Sequence, residues 1–148
     1  MTAFATNDDL VKLHPTVLDH GIVDWTDELA EAQADVELII KTKWFLIEFG
    51  SMRTRGQAYT PIFNPDLLVP DQWRKAVCYR ALAYYIMPHM ATFRPEGDTF
   101  STAADFFDTR FDDEMDLQLG GGVMYDLNDD GNISNNEKFP SLTTRLYR

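Results

Sequence analysis

The chain has a single cysteine, Cys78, so no internal disulfide forms and a reducing compartment is compatible with it. It has few histidines. His14, His20 and His89 are scattered, with no metal-ligand spacing to one another or to Cys78, which points to surface or capping roles. No apolar run is long enough to span a membrane. No stretch near Met1 combines a basic start with a long apolar centre, so no signal peptide is expected. Positive charge is scarce: the net charge is −11, which argues against general binding of DNA or RNA and against an anionic membrane surface. The same charge permits a smooth acidic wall that DNA passes without sticking. Nucleophile elbows, zinc-protease helices, P-loops and dinucleotide glycine patterns are all missing, so no catalytic residues are expected. Repeats and low-complexity tracts are missing too.

What is present is a core. Hydrophobic residues make up 45% of 148 positions and aromatics 13%, enough for a folded domain. Asn7 caps a short first helix carrying Leu10, Val11 and Leu13. His14-Pro15 starts a second short helix through Val17 and Leu18 that stops at Gly21. From Asp24 or Thr26 to Phe49 there is neither Gly nor Pro, and Leu29, Ala32, Val36, Ile39, Ile40, Phe45 and Ile47 recur at helical spacing, so a helix of roughly 35 Å is expected to end at Gly50. Its second half is apolar nearly all round apart from Lys41 and Lys43, as befits a helix covered by its own core or by a partner.

Residues 51–68 read as a long connector with Arg53 and Arg55 as a local basic spot, either a contact arm or a solvated loop. Pro70-Asp71 opens the next helix, with Trp73, Ala76, Val77, Ala81, Leu82, Tyr84, Tyr85 and Met87 on its apolar face and Pro88 expected to kink or end it. Cys78 lies inside this helix as a small core residue. A last helix runs from Asp98 to Gly120. Phe100, Ala103, Ala104, Phe107, Phe111, Met115 and Leu119 form its buried stripe, and its many acidic residues read as a solvated face. The expected fold is therefore all-α: a helical bundle of about four helices over residues 1–120, followed by a C-terminal extended arm over 121–148 that contains an EF-hand-like loop.

That loop is Asp126 to Glu137. Asp126, Asn128 and Asp130 stand at positions one, three and five, Gly131 at six, Ile133 at eight, Ser134 at nine and Glu137 at twelve. Calcium takes six to eight hard oxygens at about 2.3–2.6 Å, and this spacing wraps a short chain round one ion. Asp126, Asn128, Asp130, the carbonyl of Asn132, Ser134 (directly or through water) and Glu137 are the expected ligands. The flanks depart from an EF-hand. Gly120, Gly121 and Gly122 precede the loop, at a cost of about 3 kcal/mol in helix propensity, Val123-Met124-Tyr125 reads as a short strand, and Pro140 keeps any outgoing helix short. A structural calcium knot is expected, with a metal-free Asn/Asp/Gly turn as the alternative. The tail from Phe139 to Arg148 has apolar residues and two arginines but no lasting period, and needs a surface to lie on.

The order of features resembles head–tail adaptor (head-completion or connector) proteins of tailed phages. The likeness is carried by His14-Pro15-x-Val-Leu-x-His-Gly21, Asp24-Trp25, Glu31-Ala32-x-Ala34-Asp35-Val36, Lys43-Trp44, Leu68 to Tyr85, Phe106 to Glu114, Gly122-Val-Met-Tyr-Asp126 with Asp130-Gly131 and Glu137, and Thr144-Arg145-Leu146-Tyr147-Arg148. The resemblance implies a virion structural protein of the neck, assembled in the host cytoplasm. It implies a monomer that docks as a ring of its own copies, a dodecamer, on the portal protein and receives the tail or stopper protein. Leu142, Thr144, Arg145, Leu146, Tyr147 and Arg148, with Arg53 and Arg55, would be the partner-binding residues, and DNA would pass without specific binding. A calcium-dependent protein-interaction module using Asp126–Glu137 is the alternative.

Overall fold

The computed structural model describes residues 2–19, 24–53, 61–91 and 99–138. Helices dominate these residues and no strand occurs among them, so the fold is all-α as expected. Helix α1 is Asn7–Leu13, closed at its start by a capping box between Thr6 and Asp9. The expected second helix after His14 is not formed. Residues 15–19 make successive turns instead, with Val17 N–H donating to His14 O at 3.0 Å and Asp19 N–H to Thr16 O at 3.1 Å. Val17 still reaches the core, and its carbonyl accepts the indole N–H of Trp25 at 3.1 Å.

The second element, α2, is one unbroken helical path in three parts: Thr26–Ile40, a π-helical stretch Lys41–Phe45, and Leu46–Arg53. It passes through Gly50, where an end was expected, because the roughly 1 kcal/mol penalty of one glycine is small beside the burial of neighbouring Phe49. The π turn has a packing consequence. The Leu46 N–H reaches back five residues to the Lys41 carbonyl, and this wider turn lets the consecutive Trp44 and Phe45 both face inward along with Ile40 and Phe49.

Helix α3 repeats the device. Pro70–Arg80 leads into a π stretch, Ala81–Ile86, and then Met87–Met90. The path does not end at Pro88 but runs two residues beyond it, to Met90, and the departure from regular α geometry falls in the turns just before the proline. Its missing N–H and its clash with the Tyr84 carbonyl fall next to the wide turns, where the Met87 N–H already bonds to Leu82 O. Trp73, Ala76, Val77, Ala81, Leu82, Ile86 and Met87 are all fully buried, so α3 is the central helix. It packs against α1, against α2 and against the last long helix, α4 (Thr99–Gly121).

Phe107, Phe111 and Met115 of α4 are buried, and Phe100, Ala103, Ala104 and Leu119 lie against the same core, as the expected stripe requires. A polar pin joins the layers: Arg80 Nε and Tyr85 Oη each donate to Asp35 Oδ2 at 2.8 Å, and the Arg80 guanidinium lies 3.5 Å from the Tyr84 ring centre. Burial, then the Asp35 hydrogen bond, pushes the Tyr85 phenol above its ordinary pKa.

Helix α4 runs one residue past the expected end, and Gly122 stops it with φ of 96°. Instead of a strand, Val123-Met124-Tyr125 makes one isolated antiparallel bridge, Leu68 to Tyr125. Val123 and Tyr125 are fully buried in the same core as α1 to α4, so the expected arm is rooted in the bundle. A four-residue helix, α5 (Asn135–Lys138), closes the described chain.

Candidate metal loop and outer faces

The loop grows out of a tightly sewn segment, Gly122 to Asp126. Val69 N–H donates to Met124 O at 3.2 Å and Asp126 N–H to Leu67 O at 3.0 Å. The Gln72 amide grips both sides, donating to Gly122 O at 2.9 Å and accepting from Met124 N–H at 2.8 Å. The Tyr125 hydroxyl accepts the Asn64 N–H at 3.0 Å. Its ring sits in an aromatic cluster, 5.6 Å from Trp44, 5.7 Å from Phe45 and stacked 6.0 Å from Phe63. The second half of the expected connector is therefore a docking strap for the arm's root. Neither Gln72 nor Asn64 carried a signal in the sequence, because one side chain serving a distant backbone leaves no periodic pattern.

Past Tyr125 the hydrogen bonds turn local. Asp126 accepts from Asp130 N–H at 3.1 Å and from Gly131 N–H at 2.7 Å. Asn128 Oδ1 accepts from Asp130 N–H at 3.3 Å, and Asp130 Oδ1 from Asn132 N–H at 2.7 Å. Gly131 has φ of 78°, the left-handed turn expected at position six, and Asp129 joins it at 55°. Ser134 caps α5: its N–H and its hydroxyl each donate to Glu137 Oε2 at 2.8 Å. The structure thus brings Asp126, Asn128, Asp130 and Asn132 into one hydrogen-bonded turn and pairs Ser134 with Glu137. Burial pushes the Glu137 carboxyl up, but the Ser134 main-chain and side-chain donors, together with the Asn128 main-chain N–H, outweigh it and the net pKa lies below the usual value. Among the described residues, no three His, Cys, Asp or Glu side chains group to hold a metal by themselves.

The other expected site residues fall elsewhere. The backbone of Arg53 ends α2, while Arg55, Leu142, Thr144, Arg145, Leu146, Tyr147 and Arg148 lie outside the described residues, as does His20. His14 packs edge-on to Phe107 and His89 to Trp25, each at 6.1 Å, consistent with packing roles. Cys78 backs a cleft of about 240 Å³ lined by Asp9, Lys12, Leu13, Arg74 and Lys75. Burial pushes its thiol up to about 12, so it stays protonated at neutral pH and is a poor nucleophile.

Two outer faces were only partly anticipated. On α2, Leu38, Lys41, Thr42, Lys43, Leu46 and Ile47 are all exposed, with Ile47 at 64%. On α4, Phe106 and Leu117 are exposed among Asp105, Asp112, Asp113 and Asp116, with the Arg110 guanidinium 5.2 Å from the Phe106 ring centre. One face is basic and apolar, the other acidic and apolar. No helix of the described residues is long and apolar enough to cross a membrane. Comparison of the chain with protein-family models, with curated proteins and with solved structures returned no match. The adaptor resemblance thus rests on the residues quoted for it.

Proposed function

We propose that this chain is a virion structural adaptor of a tailed phage, docking as a ring on the portal at the neck and bridging it to the tail or stopper. The observation that supports this best is the pair of outer faces. Leu38, Leu46 and Ile47 beside Lys41 and Lys43 form a surface that a lone soluble domain gains nothing from exposing. The acidic face of α4 offers a second surface of opposite sign. An element that must touch neighbours on two sides needs two such surfaces, and an enzyme does not. The net charge of −11 suits a wall past which DNA slides.

The test is sedimentation of the full chain with purified rings of its cognate portal. Co-sedimentation is expected for the wild type. Charge reversal of both lysines (Lys41→Glu with Lys43→Glu), or removal of residues 143–148, should abolish it while the helical circular dichroism stays unchanged. Failure of the wild type to bind portal sinks the reading. Loss of all partner binding in EGTA favours the calcium-dependent interaction module in its place.

A further inference from the structure

We infer that the Asp126–Glu137 loop is a calcium site closed by the one oxygen of Glu137 that the protein leaves short of donors. Glu137 is only 9% exposed. Its Oε2 is taken by Ser134, whereas Oε1 is buried without a well-formed hydrogen bond, the Asn128 main-chain N–H being the one further donor that approaches the carboxyl. A buried carboxylate oxygen left short of donors is costly, because it has lost water and regained little. A cation seated on this oxygen would replace the hydration it has lost.

The rest of the donor set fits a hard, flexible ion. Both oxygens of Asp126 accept backbone N–H groups, and Asp130 accepts the Asn132 N–H on one oxygen and the Asn128 side-chain amide on the other, but an ionised carboxylate has about four lone-pair sites, so each keeps lone pairs for a metal. The Asn132 carbonyl and the Ser134 hydroxyl, or a water on it, complete the set. Because the acidic side chains alone do not converge, the amide and main-chain oxygens are needed, and Glu137 has to close onto them. Closure of this kind suits calcium, which accepts irregular six- to eight-fold oxygen shells. Magnesium demands a rigid octahedron.

The site also has a consequence. Asp126 N–H is bonded to Leu67 O, so the first ligand is fixed to the bundle while the last, Glu137, sits on α5. Binding would lock α5 onto the sewn segment.

Terbium luminescence and calorimetry on the full chain test this directly. Tyr125 adjoins the loop, with Trp44 5.6 Å from its ring, so excitation of these rings should light a bound terbium ion. The expected result is one ion per chain, displaced by calcium and not by equal magnesium. Glu137→Gln and Asp130→Ala should each weaken binding at least about tenfold. Both variants should match wild-type circular dichroism in EGTA, and Asp130, being exposed, supplies the control if Glu137→Gln fails to fold. No calcium heat and no terbium emission from the wild type overturn the site, as does wild-type affinity in both variants. The inference is independent of the adaptor reading: portal binding without calcium binding sinks only the former, and calcium binding without portal binding only the latter.

Discussion

Gly122 to Asp126 and Asp126 to Glu137 share a residue and almost nothing else. The first segment is held by what lies 50 or more residues away: Gln72 to Gly122 and Met124, and Asn64 to Tyr125. Its side chains Val123 and Tyr125 are fully buried. The second segment is held by bonds within itself, from two-residue turns to the nine-residue reach from Asn128 N–H to the Glu137 carboxyl, and most of it is exposed. One region takes its order from the bundle and should melt with it. The other takes its order from its own Asx-type turns and should open on its own. The largest break of this contrast is Tyr125→Ala, which empties the centre of the aromatic cluster. It should cost about 3–5 kcal/mol, seen as a lower urea midpoint. A loss below about 1 kcal/mol would mean that the segment is not part of the cooperative core.

Gln72→Ala tests the same seam more gently. Two hydrogen bonds go, each worth about 0.5–1.5 kcal/mol net, so a loss of about 1–3 kcal/mol is expected in the same urea titration. Next in size is Gly131→Ala on the loop side. A Cβ there meets no atom within 4 Å, so the cost is backbone strain at φ of 78°, about 1–2 kcal/mol. That cost should appear as faster amide exchange confined to residues 128–134, with the global midpoint nearly unmoved. A global shift as large as that of Tyr125→Ala would erase the distinction between the two regions.

The same distinction governs what could be read without coordinates. Local chemistry was legible. The Pro70 start, the Phe107, Phe111 and Met115 stripe, the left-handed Gly131 and the short helix after the loop all follow from patterns a few residues long. Readings that weighed a local penalty without its tertiary compensation went wrong. Gly50 and Gly120 were expected to stop helices, yet burial of Phe49 and packing of Leu119 carry those helices through, while before Pro88 the helix widens into the π turns at Ala81–Ile86 and ends at Met90. The turns at residues 15–19 failed the other way, since a proline at a helix start and two apolar residues proved too little to hold a helix. The seam between Leu68 and Tyr125 was invisible because a single bridge has no period. At the loop, ligand types and spacing were legible, but the buried Glu137 oxygen was not, since burial of one atom depends on the whole fold.

The smallest effect concerns a second buried carboxylate, which contrasts with Glu137. Gln33 links the N-terminal segment to α2: its amide donates to Thr2 O at 3.0 Å and to Glu37 Oε1 at 2.8 Å, while its own oxygen accepts Phe4 N–H at 2.9 Å. Burial raises the Glu37 pKa above its ordinary 4.5, more than the Gln33 bond lowers it, and Asp66 adds repulsion. A raised carboxylate binds its proton more tightly when folded, so folding stability falls as pH rises from about 4.5 through the folded value. Glu137 has the opposite sign: its pKa is lowered, so its contribution is present above the unfolded value and is lost on acidification. Glu37→Gln keeps an acceptor for Gln33 and removes the charge. It should be near neutral in stability at pH 4 and stabilising at pH 7, by less than about 1.5 kcal/mol. Melting curves of wild type and variant at the two pH values decide the matter, and a variant less stable at pH 7 than at pH 4, relative to wild type, would mean that the Glu37 charge is favourably compensated in the fold.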